Sequence, residues 1–211
     1  MQIALALYPR FTLLDIIGPF QVLADVPGND AFFVAEEAGP VEDHTGHTSL
    51  MASRSFADVA SPDVVVVPGT LGGNEHDEAI VAWLRRVHPH TQWTTSVCTG
   101  SIALAAAGIL DGLDATTHWA RRDHLEEHGA RYCEQRVVDR GKVITAAGVS
   151  SGIDMALTLV ARMYGPDMAE MAQLGVEYDP QPPFDAGAPS KARPEIVELV
   201  KATIDAAFIP A

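Results

Sequence analysis

The sequence contains few cysteines, no long hydrophobic run and no cluster of basic residues. Only Cys98 and Cys133 occur among 211 residues, so the chain has no disulfide framework and we expect both thiols to be reduced. No apolar stretch approaches the ~20 residues that cross a bilayer. The formal net charge is -14 and the 14 Lys and Arg residues are scattered. Such a surface repels phosphate backbones and anionic lipids, so we expect no nucleic-acid partner and no membrane attachment.

Composition and the first residues of the chain predict its size class and location. The stretch "MQIALALYPR" lacks the basic leader and the apolar length of a signal peptide, so we expect a cytoplasmic protein. With 47% hydrophobic and 20% charged residues, the chain is able to bury a sizeable core. No internal repeat or low-complexity linker divides it. We therefore predict one domain over residues 1–211.

Strand-like and helix-like segments alternate along the chain, which is typical of a sheet covered by helices on both faces. The stretch "DVVVVPG" is the clearest strand, because four consecutive valines predict burial on both faces, as in a central parallel strand. We predict an α/β fold with a mostly parallel central sheet. The predicted strands are 3–7, 31–35, 64–67, 92–97 and 143–146. The predicted helices are 13–23, 77–87, 100–107, 119–128, 150–164, 167–174 and 194–207.

Three segments interrupt this alternation. Residues 41–56 form a polar excursion, and Asp139, Arg140 and Gly141 are typical of a hairpin turn. Segment 178–194 is rich in proline and is expected to run over the surface. It is long for a compact domain, and such loops often border a site or an interface.

Cys98 occupies a position that favours chemistry. Residues 93–97 favour a strand and residues 100–107 favour a buried helix, so Cys98 lies at a strand-to-helix turn. The pattern S-x-C-x-G copies the arrangement of a nucleophile elbow. N–H groups at the start of the next helix favour a thiolate at this point. An ordinary buried cysteine is the alternative, and position alone does not decide between the two.

The ends of neighbouring strands predict which residues meet. Ligands of open parallel sheets collect beyond the carboxyl ends of the strands. Cys98, the glycine-rich loop 69–73 and the helix that carries Asp15 should therefore face one pocket. The loop has enough glycine to turn its N–H groups toward a developing oxyanion, although a plain turn is equally consistent. It lacks the Lys-Ser/Thr ending of a phosphate-binding loop.

Asp15 has two interpretations. It follows Thr12 at the spacing of a capping box, and Gly18 with Pro19 predicts an early interruption of the helix. These residues taken alone favour helix capping. A carboxyl group close to a cysteine is able instead to hold or pass a proton.

Three histidines are weaker candidates for functional residues. His118, in "TTHWA", either lines a pocket or starts a helix, and the sequence leaves both open. His124 and His128 fit the H-x-x-E-H pattern of a zinc peptidase family. Their surroundings, "RRDHLEEHG", are polar on nearly every side, which is typical of a solvated helix, so we predict no metal site. Asp154 and Cys133 are assigned structural roles.

Six stretches spread over the chain carry a resemblance to a known family. They are "LLDIIGPFQVL", "VVVVPG", "SVCTGSIALAAAGILDG", "TTHW", "ITAAGVSSGIDMALTLV" and "EYDPQPPFDAG". Together they closely resemble the DJ/PfpI superfamily, and within it the isocyanide hydratase branch. The resemblance implies a flavodoxin-like three-layer sandwich, a homodimer, a cysteine nucleophile at Cys98 and a nearby acid at Asp15. It implies no metal and no cofactor.

The resemblance also implies roles for neighbouring residues. Backbone N–H groups of Gly69, Thr70 and Thr99 would serve as oxyanion donors. From their apolar side chains, we expect Ile16, Ile17 and Val149 to keep bulk water from the pocket of a small-molecule substrate.

The residue after the cysteine separates branches of the superfamily. Protease-like and chaperone-like members commonly carry His or Ala where this chain has Thr99, which disfavours peptidase chemistry.

The sequence and the resemblance together predict a hydratase. We expect the Cys98 thiolate to add to an isocyanide while Asp15 moves protons, so that water converts the resulting thioimidate into an N-substituted formamide. Two alternatives stay open. One is a glyoxalase or deglycase that acts on 2-oxoaldehydes, and the other is a non-enzymatic redox or ligand sensor based on the thiol.

Overall fold

A mostly parallel β-sheet organises the structure. The computed structural model describes residues 1–73 and 77–208, and within these ranges seven strands form the main sheet. Every neighbouring pair is parallel except the first, which is antiparallel. From one edge to the other the strands are β10 (Val137–Arg140), β11 (Val143–Ala146), β7 (Trp93–Val97), β6 (Val64–Val67), β1 (Gln2–Ala6), β2 (Asp30–Ala35) and β5 (Arg54–Ser55).

Helices cover both faces of this sheet and complete three layers. On one face α1 packs against α5, and α5 packs against α6; on the other face α2 packs against α3. The α-helices are α1 (Leu13–Ala24), α2 (Glu78–Val87), α3 (Gly100–Ala106), α4 (Arg122–Glu127), α5 (Ser151–Tyr164), α6 (Pro166–Gly175) and α7 (Pro194–Ala207). None of the described helices is both long and apolar enough to span a bilayer.

Two small ribbons lie beside the main sheet. The excursion at 41–56 contains most of an antiparallel hairpin of β3 (Gly39–Glu42) and β4 (Ser49–Ala52). A second ribbon pairs β8 (Asp114–Ala115) with β9 (Arg131–Tyr132) in parallel. The strand alternation in these short segments is too weak to have been predicted.

The valines of β6 explain why the core has two halves. Successive side chains of a strand point to opposite faces, so Val65 and Val67 join one apolar cluster and Val64 and Val66 join the other. All four are fully buried. Because burying a valine side chain is worth roughly 1.5–3 kcal/mol, this strand fixes the centre of the sandwich. The predicted α/β fold with a mostly parallel sheet is confirmed.

Most predicted elements occur with each end within one residue of its predicted position, and two predictions need correction. The predicted helix 119–128 is a 3₁₀ turn, Trp119–Arg121, followed by the short helix α4. The predicted interruption at Pro19 is wrong, because α1 continues through it to Ala24. A proline has no N–H to donate in the helix, but Pro19 is buried and packs closely against Gly152 of α5.

The hairpin turn lies later in the sequence than predicted, because Asp139 and Arg140 belong to β10, whereas the proline-rich loop lies where expected. In the hairpin, Arg140 pairs with Val143, so the turn itself consists of Gly141 and Lys142. Gly141 adopts φ +77° and its N–H donates to the Asp139 side chain at 2.7 Å. Segment 178–194 is largely exposed, contains no helix or strand before Pro194, and borders a cavity through residues 187–189.

Candidate active site

Cys98 lies at the predicted strand-to-helix turn, directly after β7. Its φ is +57°, a conformation that a non-glycine residue keeps only when its surroundings enforce it. The Cys98 N–H donates to the carbonyl oxygens of Ala146 and Ala147 at 3.1 and 3.0 Å. Its carbonyl oxygen accepts hydrogen bonds from the Ser101 and Thr117 hydroxyls, both at 3.1 Å. Four hydrogen bonds thus hold the strained backbone.

Gly100 allows the turn to pass close to the neighbouring strand. A Cβ atom at this position would lie 2.3 Å from the carbonyl oxygen of Val67. The glycine of the S-x-C-x-G pattern is therefore required by the approach of two backbones rather than by a positive φ.

Asp15 lies behind the cysteine and is completely buried. Its Oδ2 accepts a hydrogen bond from the Gly69 N–H at 2.8 Å, whereas Oδ1 has no partner of good geometry. The Thr12 side chain makes no capping bond, so the capping interpretation is wrong. Burial raises the pKa of Asp15 to about 7, against the opposing hydrogen bonds from the Gly69 N–H and the Cys98 thiol. Near neutral pH this carboxyl is able both to give and to take a proton.

The pKa of the Cys98 thiol is also shifted, in the direction opposite to our expectation. Its side chain is only 6% exposed. Burial raises the pKa of Cys98, the negative charge of Asp15 raises it further, and the N–H groups of Thr99 and Val149 at the sulfur lower it without compensating. The expected preference for a thiolate at the helix N-terminus is therefore wrong for the resting site, because desolvation outweighs the N–H donors.

Cys98 and Asp15 form a coupled pair. Each raises the cost of ionising the other, so as the pH rises above about 7 the pair comes to hold one proton and one negative charge between them. When that proton lies on Asp15, its carboxylate charge is gone and the thiolate is stabilised by the N–H groups of Thr99 and Val149. The pair is thus able to supply a nucleophile and an acid together.

Val149 contributes a backbone N–H group to the site. It has φ +36°, which is a strained value for a β-branched residue. This conformation directs its N–H to the Cys98 sulfur. Strain at Val149 and at Cys98 therefore serves the same contact.

Thr99 and Thr70 link the two loops behind the cysteine. The Thr99 hydroxyl accepts from the Thr70 N–H at 2.9 Å and donates to the Thr70 carbonyl oxygen at 3.2 Å. The Gly69 N–H is bound to Asp15. Because both N–H groups are used within the protein, the predicted oxyanion role of Gly69 and Thr70 is not supported. The Thr99 N–H is directed at the sulfur of Cys98.

Cys98 opens onto a cavity of about 330 Å³. The cavity brings together the predicted residues Cys98, Thr99, Thr70 and Val149, whereas Asp15, Gly69 and Ile16 do not line it. Ile16 is fully buried in the core, so it contacts no substrate from there. Leu71, from the predicted loop 69–73, also lines the cavity. The lining residues that the sequence did not identify are Thr12, His44, Arg121, Ile204 and Phe208. A larger cavity, of about 490 Å³, lies over the ends of β1 and β2 and does not include the cysteine.

His118 lines the cavity beside Cys98 and also begins the 3₁₀ turn, so both interpretations of the sequence are correct. Its Nδ1 accepts from the Ala120 N–H at 3.3 Å, which assigns the ring proton to Nε2. Burial and the charge of Arg121 lower its pKa to about 4. The ring packs on Gly148, where a Cβ atom would lie 2.6 Å from Cδ2. His118 is therefore a neutral N–H donor at the cavity wall.

The H-x-x-E-H stretch has other partners. Nδ1 of His124 lies 2.6 Å from the guanidinium of Arg121, and Nδ1 of His128 lies 2.9 Å from the carbonyl oxygen of His124. In residues 1–73 and 77–208, no three His, Cys, Asp or Glu side chains are grouped so as to hold a metal ion.

Comparisons with known proteins agree with this architecture. The family model of the DJ-1/PfpI family matches residues 1–162. An isonitrile hydratase of Pseudomonas putida is 40% identical over 200 residues, which cover 94% of this chain and 87% of that protein. The crystal structure of a THiJ/PfpI family protein from Pseudomonas syringae superposes with a TM-score of 0.91 at 35% identity, covering 98% of this chain and 88% of that one. Drosophila melanogaster DJ-1beta shares the fold, with a TM-score of 0.75 at 22% identity over 83% of this chain and 97% of its own.

Proposed function

Since the chain belongs to the DJ-1/PfpI family, we propose that it is an isocyanide hydratase, which adds water to an isocyanide and releases an N-substituted formamide. Isonitrile is another name for isocyanide, so the relative from Pseudomonas putida supports this reaction class. The observation that carries the proposal is the buried Cys98–Asp15 pair beside an apolar cavity.

The first half of the proposed reaction uses the shared proton. The sulfur of Cys98 attacks the terminal carbon of the isocyanide, and a C–S bond forms as the carbon–nitrogen triple bond becomes a double bond. Asp15 takes the thiol proton and delivers it to the same carbon, so a C–H bond forms. The product is a neutral thioimidate on Cys98, and Asp15 is left as a carboxylate.

The second half hydrolyses the thioimidate. Asp15, now a base, removes a proton from water as the oxygen bonds to the thioimidate carbon, and this proton passes to nitrogen. The C–S bond of the adduct then breaks, the hydroxyl proton returns to the Cys98–Asp15 pair, and the formamide leaves. No redox change occurs and no cofactor is required.

The surroundings of the pair suit a substrate without charge. The N–H groups of Thr99 and Val149 stabilise the sulfur when charge develops on it. The complete burial of Asp15 keeps its pKa near 7 and lets one carboxyl act in both halves. The mostly apolar walls of the cavity keep bulk water from the sulfur. A neutral isocyanide enters such a cavity at little desolvation cost.

Product formation tests the proposal directly. The purified chain is incubated with cyclohexyl isocyanide, and N-cyclohexylformamide is measured by mass spectrometry. We expect turnover in the wild type and in Cys133→Ser, and none in Cys98→Ala. Methylglyoxal is assayed in parallel. Equal formamide production by Cys98→Ala, or turnover of methylglyoxal without turnover of the isocyanide, would contradict the proposal. Reversible oxidation of Cys98 without any turnover would favour the sensor.

A homodimer and a cytoplasmic location complete the proposal. Exposed apolar side chains on α6 and α7 support a second copy as partner, since Leu174 is 80% and Leu199 is 64% exposed. Light scattering after size exclusion should give twice the monomer mass of 22.5 kDa, and the monomer mass would refute the dimer. A reducing compartment suits the two free cysteines, of which Cys98 must stay unoxidised to react.

A further inference from the structure

The C-terminal helix reaches the reactive cysteine although it lies outside the family match. That match ends at residue 162, whereas α7 spans Pro194–Ala207. Ile204 of α7 and Phe208, directly after it, nevertheless line the cavity that contains Cys98. This wall of the site is therefore supplied by a segment that the family model does not cover.

Arg121 contacts the Phe208 ring, and the loop after β6 lies close to the residue before Phe208. The guanidinium carbon of Arg121 lies 4.2 Å from the centroid of the Phe208 ring, and Arg121 is only 7% exposed. Arg121 is positioned in turn by His124, whose Nδ1 is 2.6 Å away. The loop after β6 touches the end of α7 so closely that a Cβ atom at Gly72 would lie 2.5 Å from the Ala207 carbonyl oxygen. Phe208 thus has a defined position in the wall.

The cavity wall is mostly hydrocarbon, with the ring N–H of His118 as a polar group and with two threonine hydroxyls already bound within the protein. The Thr70 hydroxyl is bound to the carbonyl oxygen of Arg10 at 2.7 Å, and the Thr99 hydroxyl is bound to Thr70. Apolar side chains supply much of the remaining wall; they are Leu71, Val149, Ile204 and Phe208. A mainly apolar group is therefore favoured here, because a polar one would lose its water and gain few partners.

The size of the cavity limits that group. Its volume, about 330 Å³, is near the lower end of the ~300–1,000 Å³ found for ligand pockets. A neighbouring cavity of about 430 Å³ shares His118 and Val149 with it, but is also lined by Glu134 and Arg136, so it does not continue the apolar wall. Because the C–N–R unit of an isocyanide is linear, its substituent extends straight away from the carbon at Cys98 and meets the walls of the same cavity.

We propose that Phe208 and Ile204 determine substrate specificity, and that they restrict the enzyme to isocyanides with a compact apolar substituent, such as a branched alkyl group or a single ring. This inference rests on the proposed hydratase function for its reaction. The limit on the size of the substituent depends only on the cavity.

Kinetic selectivity tests the inference. For the wild type, Phe208→Ala, Ile204→Ala and Phe208→Trp, kcat/KM is measured with cyclohexyl isocyanide and with 2-naphthyl isocyanide. We expect the wild type to favour the cyclohexyl compound, and each alanine variant to raise the naphthyl-to-cyclohexyl ratio about tenfold or more. Phe208→Trp should lower the naphthyl-to-cyclohexyl ratio. Glu198→Ala is the matched control on an exposed position of the same helix and should keep the wild-type ratio.

A second readout separates the size limit from the reaction. In a Cys133→Ser background, Cys98 is labelled with N-methylmaleimide and with the larger N-(1-pyrenyl)maleimide. Phe208→Ala should accelerate the larger reagent selectively even if no isocyanide is turned over, in which case the hydratase proposal fails and the size limit stands. If the variant does not fold, as judged by circular dichroism, Ile204→Ala and Phe208→Leu replace it. Unchanged ratios in both assays in the folded variants would overturn the inference.

Discussion

Replacing Asp15 by asparagine should stabilise the folded protein at alkaline pH while removing most of its activity. Burial raises the pKa of Asp15 from 3.8 to about 7, so the folded chain binds a proton that the unfolded chain has already released between these values. The free energy of unfolding therefore falls as the pH rises through this interval. Since one pKa unit corresponds to ~1.4 kcal/mol, the charged carboxyl costs the fold roughly 4 kcal/mol above about pH 8.

Asparagine removes this cost with little change of shape. Its carbonyl oxygen is able to accept the Gly69 hydrogen bond that Asp15 Oδ2 accepts at 2.8 Å. At about pH 8 we expect Asp15→Asn to raise the free energy of unfolding by up to ~4 kcal/mol, which moves the urea midpoint upward by about 1 M or more. Near pH 4 the two proteins should unfold at similar urea concentrations. Asp25→Asn, an exposed carboxyl at the end of the same helix, is the control and should behave like the wild type.

The same variant should lose turnover but keep its thiol. Without the acid, formamide production should fall by about 100-fold or more. Labelling of Cys98 should persist, and its alkaline limb should move to lower pH, because the charge of Asp15 is the second cause of the raised cysteine pKa. A urea midpoint at pH 8 equal to or below that of the wild type would refute the reasoning, and so would near-normal turnover.

Three further outcomes follow from the geometry of the elbow. In the wild type, kcat/KM should fall below a midpoint near pH 7, because the Cys98–acid pair then holds two protons and offers no nucleophile; a flat profile down to pH 5 would contradict this. Gly100→Ala should displace the turn, since its Cβ would lie 2.3 Å from the Val67 carbonyl oxygen, and turnover and thermal stability should both drop; wild-type values of both would refute it. Thr99→Val leaves the buried Thr70 N–H without its acceptor, so urea unfolding should show a loss of about 1–3 kcal/mol, whereas Thr99→Ser should retain most of the stability.

The sheet was predictable because its signals are local. The valine run of β6 and the proline and glycine after it define a central strand within seven residues of sequence. The strand-to-helix turn at Cys98 is equally local, since strand propensity changes to helix propensity across it. Local signals failed where tertiary packing overrides them, as at Pro19, which α1 includes because the buried ring packs against another helix.

The site was predictable only in part, because its contacts join distant segments. Asp15 has the spacing of a capping residue, and nothing near it in sequence indicates that its partner is the N–H of Gly69. Arg121 and Phe208 meet across 87 positions, and neither carries a motif. His118 gave a usable signal, a histidine beside an aromatic residue after two threonines, but its neutral state depends on burial that only the fold reveals.

Burial, rather than the helix dipole, governs the acid–base behaviour of this site. A short helix such as α3 brings its N–H groups to Cys98, yet they are outweighed because the sulfur is almost completely removed from water. The same removal raises the pKa of Asp15 to about 7, so that acid and nucleophile compete for one proton instead of ionising separately. A resting thiolate would be exposed to oxidation at all times. A pair that makes its thiolate only when the proton moves to the carboxyl is protected until a substrate carbon is present to receive that proton.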